Sequence, residues 1–228
     1  NPVRLADYSK ATGAEDTVGL PEQRKFSALF PSYRSRLADL LGLRYVVSKA
    51  PLETIDKRLK PGDLTLIART SDALIYENPR ALPRVLFAGE AQWADFPGLL
   101  ATGHWPAFDP RHVVLLQAPA LGVQPVPAPP KPPGAVRITA YHHGEVVLDA
   151  DSREGGFVVL NDLWQRWWYA DVDGAPAPVL KANVLFRAVE IPAGKHTIRF
   201  RFRPFYGVLE DLGSRLAGSR QAGWKDRP

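Results

Sequence analysis

The chain has 228 residues, 45% hydrophobic and 23% charged, with a formal net charge of +5 from 29 basic and 24 acidic side chains. That length buries a real core in one large domain or two small ones, and the composition excludes wholesale disorder. The absence of cysteine removes disulfides, thiolate catalysis and cysteine-ligated zinc together. The absence of methionine leads us to expect a piece cut from a longer chain or a processed product. The basic excess is small and mostly dispersed, so no nucleic-acid partner is expected. The longest uncharged run, His112 to Pro130, contains five prolines and cannot cross a bilayer as a helix.

In chain order, residues 1–25 show no periodicity and read as irregular. Phe30, Tyr33, Leu37, Leu40 and Leu41 share one face at helical spacing, and Gly42 stops that helix. Leu43 to Val47, Leu64 to Ala68, Ala73 to Tyr76 and Arg84 to Phe87 read as strands. A short helix is expected over Glu90 to Phe96, broken by Pro97, and a last strand over Val113 to Leu116. Between Pro119 and Pro133 seven of fifteen residues are proline. Such a segment prefers extended polyproline II and reads as a semi-rigid connector.

The second half is nearly all β. Val136, Ile138 and Ala140 alternate with polar neighbours, as do Ile198, Phe200 and Phe202 with Arg199, Arg201 and Arg203. Apolar runs at 145–149, 157–160, 167–172, 177–181 and 185–191 lie between them, separated by turn signals such as Asp173-Gly174. The expected fold class is therefore α+β: a mixed α/β N-terminal subdomain over 1–118, a linker over 119–133, and an antiparallel, jelly-roll-like β-sandwich over 134–205. A polar, basic tail over 206–228 follows.

From Gly156 the sequence reads GFVVLNDLWQRWWYADVDGAPAPVLKANVLFRAVEIPAGKHTIRFRFRP. This string resembles the C-terminal extracytoplasmic segment of the YfhO family of bacterial membrane proteins. The matching positions are Leu160 with Asp162, Trp167 and Trp168, Val172 to Gly174, Ala182 with Asn183, Phe186 to Val189, Pro192 to Gly194 with His196, and Phe200 with Pro204. In the first half, Leu40 to Val47, Tyr76 to Arg84 and Phe108 to Leu116 resemble the segments preceding the sandwich in such proteins. The resemblance implies a polytopic membrane glycosyltransferase using a polyprenyl-phosphate sugar, of which this chain is a non-catalytic extracytoplasmic part. It implies the membrane-embedded part of the same parent chain as a partner, with a cell-envelope glycan or lipid-linked sugar as a further one. None of the matched motifs is catalytic, and no cofactor is expected.

Several residue groups invite a chemical role. Asp171 and Asp173 flank Val172, but the prolines that follow exclude a calcium loop, and Asp-Gly reads as a hairpin turn. His142 and His143 are adjacent and diverge, so a shared metal is not expected. Asp162 with Glu190 or Asp171 offers acid pairs without a fixed separation. Asn183 reads as a turn residue bonding its own backbone, and Arg187 as a partner of a tryptophan or of Asp162. Trp167 and Trp168 point to opposite sides of their strand, so an exposed indole there offers a sugar platform unless the fold covers both. Arg199, Arg201 and Arg203 share one face and need anions, either acidic side chains on neighbouring strands or lipid headgroups. The candidate glycan or headgroup contacts are thus Trp167, Trp168, Arg187, Arg199, Arg201 and Arg203. The alternative to the membrane-enzyme module is a stand-alone carbohydrate-binding sandwich.

Overall fold

The structure, a computed structural model, describes residues 8–13, 24–118, 132 and 134–204. Apart from Pro132, the proline-rich stretch lies outside the described residues, as does the basic tail. In chain order the elements begin with a helical turn over residues 8–12 (α1), the helix Arg36–Leu40 (α2), strand β1 (Tyr45–Ser48) and helix α3 (Leu52–Ile55). Strands β2 (Thr65–Arg69), β3 (Leu74–Glu77), β4 (Val85–Ala88) and β5 (Glu90–Ala94) follow, then helix α4 (Phe96–Thr102) and β6 (Val113–Gln117). After the proline-rich stretch come β7 (Ala135–His142), β8 (Glu145–Ser152), β9 (Gly156–Leu163), β10 (Trp168–Val172) and β11 (Ala175–Ala177). The last described strands are β12 (Leu180–Ala182), β13 (Phe186–Ile191) and β14 (Gly194–Phe202).

The described chain is mostly β, with few and short helices and three sheets. A five-stranded antiparallel sheet, β11-β10-β14-β8-β7, packs face to face on a six-stranded sheet, β4-β9-β13-β12-β6-β5. Their shared core holds Phe87, Leu148, Val158, Leu160, Val189, Ile198 and Phe200. The period-two pleat sends the intervening residues of the six-stranded sheet the other way. Leu86, Val159, Phe186 and Ala188 meet a second core with Leu29, Phe30, Leu37, Leu40 and Phe96 from the N-terminal elements. Both faces of the central sheet are therefore covered, and its strands read as continuous apolar runs. The third sheet, β1-β3-β2, has a small core of its own around Leu52, Leu74 and Tyr76.

The two sides of the proline-rich stretch share one sheet. β4 pairs with β9, and β12 touches β6 at Ala182 and Leu116, so strands from both sides of the proline-rich stretch build one sheet. Residues 134–205 supply only three of its six strands. Nor is the sandwich wholly antiparallel: β5 and β6 run parallel, with α4 in the connection between them.

Local chemistry explains where the elements differ from expectation. Glu90 to Ala94 is a strand, and α4 begins at Phe96 with Pro97 in its first turn, where a missing N–H costs nothing. The expected helix from Phe30 shrinks to Arg36–Leu40. The Asp56 carboxylate captures the Ser32 hydroxyl at 2.6 Å and the Tyr33 amide at 2.8 Å, and Ser35 caps the shorter helix. Phe30 and Tyr33 instead join Phe26 in an aromatic cluster. Gly42, at φ 67°, ends α2 as expected. Residues 8–12, read as irregular, are helical. The run at 177–181 divides between β11, at the edge of one sheet, and β12, inside the other. The Asp173-Gly174 turn forms as read: both residues have positive φ, and Val172 pairs with Ala175 across it.

Candidate functional site

Asp162, Trp168 and Arg187 of the family-like string meet at one end of the sandwich, where β7, β9 and β14 finish and β8, β10 and β13 begin. β9 and β13 shift register there: Phe186 faces Leu163 while Arg187 faces Leu160, which leaves Asn161 and Asp162 bulged between them. The bulge brings the Asp162 carboxylate to Arg187, one of the most deeply buried side chains at 1% exposure. Arg187 donates from Nη2 to Asp162 Oδ2 at 2.9 Å and from Nη1 to the Leu163 carbonyl at 3.1 Å. Its guanidinium lies 3.7 Å from the Trp168 ring centroid and 5.5 Å from that of Phe200, both on the facing sheet. A buried cation is thus paired, hydrogen-bonded and stacked, as its desolvation demands.

A second layer closes over Asp162. Arg84, entering β4, donates from Nη1 to Asp162 Oδ1 and, at 3.1 Å, to the Tyr141 hydroxyl. Tyr141 in turn donates to Asp162 Oδ2 at 2.9 Å, with the Arg84 guanidinium 5.3 Å from its ring centroid. Partial burial, then the Asp162 hydrogen bond and charge, push the Tyr141 phenol above its usual range and keep it protonated. Beside this network opens a cleft of about 440 Å³, lined among others by Tyr8, Tyr141, His142, His143, Trp168 and Phe202.

The residues singled out in the sequence separate into two groups. Arg187 and Trp168 come together between the sheets, and Arg187 both stacks on the tryptophan and pairs with Asp162. Trp167 is half-buried beside Phe202, at 6.4 Å between ring centroids, with the Arg166 guanidinium 5.3 Å from its own ring centroid. Arg199 and Arg201 project from the outer face of the five-stranded sheet. There Arg199 meets Glu145 of β8 at 3.5 Å and Arg201 meets Asp171 of β10. Acidic neighbours therefore supply the anions this ladder needs. The Arg203 amide donates to the Trp167 carbonyl at 2.9 Å, fixing the end of β14.

The acid pairs do not form. Asp162 points between the sheets, Asp171 lies on the outer face with Arg201, and Glu190 is exposed between the inward-facing Val189 and Ile191. Asn183, at φ 45°, does not bond its own backbone. Its Oδ1 accepts the Leu115 backbone N–H at 2.9 Å and its own backbone N–H donates to the Leu115 carbonyl at 2.8 Å, which ties the β12–β13 turn to β6. Asp173 and His196 form another link: Nδ1 lies 2.6 Å from Oδ2, while Asp173 Oδ1 accepts the Thr197 amide at 2.8 Å. The hydrogen bond to His196 holds Asp173 below the usual carboxylate range, and the same bond raises His196.

No local sequence signal marks Arg84 or Tyr141 as site residues, because the contacts Arg84 closes lie 57 and 78 positions away. Among the described residues no group of three or more His, Asp or Glu side chains is placed to hold a metal ion. No described helix is long and apolar enough to cross a membrane. Comparison with protein-family models, curated proteins and solved structures finds no match for this chain.

Proposed function

We propose that this chain is a non-catalytic extracytoplasmic module of a YfhO-like polytopic membrane glycosyltransferase that takes its sugar from a polyprenyl phosphate. The observation that carries this reading is the use the chain makes of its motif residues. Asp162, Trp168 and Arg187 bind one another across the sandwich, Asp173 binds His196, and Asn183 binds the Leu115 backbone. A string whose polar groups are engaged in joining strands is the signature of a scaffold, and a scaffold is what the resemblance assigns to this part of the parent. On this reading β4, β5 and β6 complete one sheet of a jelly-roll-like sandwich, and the other elements before the proline-rich stretch form an α+β layer against it. The module sits at the outer face of the cytoplasmic membrane and braces the membrane-embedded part of the same chain.

The open cleft beside Tyr141 favours the second reading, a stand-alone carbohydrate-binding sandwich. The reading frame upstream of Asn1 separates the two. Multiple apolar spans of about 20 residues each support the membrane-enzyme module. A frame that supplies only a secretory leader before Asn1 contradicts it and leaves the binding module.

A further inference from the structure

We infer that the cleft at the end of the sandwich binds an anionic sugar, with the acidic group reaching Arg84 at its rim and the hydroxyls on Tyr141, His142 and His143. The inference stands on the cleft itself and not on the identity of any parent chain. Its volume of about 440 Å³ is that of a small-molecule site. Two guanidinium groups, Arg84 and Arg187, share the single carboxylate of Asp162, so the centre of the site carries a net positive charge. Arg187 is buried beneath and engaged with Asp162, Leu163 and Trp168. Arg84 is different: it stands outside the cleft wall but bonds Asp162 and Tyr141, which form part of it, its side chain is 54% exposed, and both bonds leave from Nη1. Nη2 and Nε remain as donors in a planar fork, the geometry that grips a carboxylate or phosphate in pairs.

The rest of the lining suits a polyhydroxylated ring. Tyr141 and the adjacent imidazoles of the β7–β8 turn supply donors and acceptors, while Trp168 and Phe202 supply apolar wall. A uronate and a sugar phosphate share the required chemistry.

Calorimetry or amide-shift titration of the full chain tests this with glucuronate, glucose 1-phosphate, glucose and inorganic phosphate. Both acidic sugars should bind about tenfold more tightly than glucose or phosphate alone, and Arg84→Gln should remove that advantage. The double variant His142→Ala/His143→Ala, on an exposed turn, should weaken both acidic sugars while leaving phosphate unchanged. Glucose binding as well as glucuronate, phosphate binding as well as glucose 1-phosphate, or no saturable binding of either acidic sugar would overturn the assignment. So would an acidic-sugar affinity that neither variant alters.

Discussion

The Arg187 guanidinium stands 3.7 Å from the centre of the Trp168 ring, so a residue of the six-stranded sheet and one of the five-stranded sheet meet as cation and π face inside the sandwich. Asp162 completes the contact from β9. Removing the cation empties a fully buried position and leaves the partly buried Asp162 carboxylate with only the exposed Arg84 and Tyr141 to answer it. Arg187→Ala should therefore destabilise the chain by about 3–5 kcal/mol. Arg187→Lys should recover less than half of that loss, since an ammonium cannot hold Asp162 and the Leu163 carbonyl while lying flat on an indole. Urea unfolding followed by tryptophan fluorescence checks both values.

The Asp173–His196 link makes stability depend on pH in a definite direction. His196 is raised, so its contribution is complete below the unfolded histidine value of about 6.5 and fades as pH rises through its higher folded value. Asp173 is lowered, so its contribution is complete above about 3.9 and fades as pH falls through its lower folded value. Both act together between about pH 4 and 6.5. Asp149, Asp151, Lys195 and Arg137 surround the pair, and Lys195–Asp151 and Arg137–Asp149 are themselves paired. The melting temperature should fall from pH 6 to pH 9, and His196→Ala should flatten that slope. A proton titration of the His196 ring should give a midpoint above 6.5.

Much of this site was legible in the sequence, for local reasons. The alternation of β14 placed Ile198 and Phe200 inward and its arginines outward, and Asp-Gly specified a two-residue hairpin. Arg187 was readable as a partner of a tryptophan or of Asp162 because a buried arginine must find both shielding and an anion. What escaped was decided over long distances. The stretch before Pro97 has helical spacing, yet β6 recruits it as a parallel strand. Nothing near Asn183 announces that its partner is Leu115, 68 residues earlier. The proline-rich stretch looked like a boundary because composition changes there, while the sheet ignores it.

That shared sheet makes a prediction about fragments. Residues 134–204 alone keep β9, β13 and β12 but lose β4, β5 and β6, and they expose Val159, Phe186 and Ala188 to water. This fragment should fail to give a dispersed amide spectrum. The full chain nicked by protease within residues 119–133 should stay associated on a native column, with its pieces separating only in denaturant.

The outer face of the five-stranded sheet is matched in charge, with Arg199 on Glu145 and Arg201 on Asp171. Replacing Arg199 and Arg201 by glutamine should leave sedimentation with anionic vesicles unchanged at low and high salt. A salt-sensitive loss of vesicle binding in that variant would give the ladder a lipid partner after all.

Sugar transfer bears most directly on the proposal that this chain is a scaffold and that the chemistry lies elsewhere in its parent. Membranes carrying the parent should transfer sugar from a polyprenyl phosphate, and deletion of residues 24–204 from that parent should lower the transfer. The purified chain should neither transfer nor hydrolyse the same donor. Turnover by the purified chain, abolished by Asp162→Asn in a variant that still folds, would contradict the account.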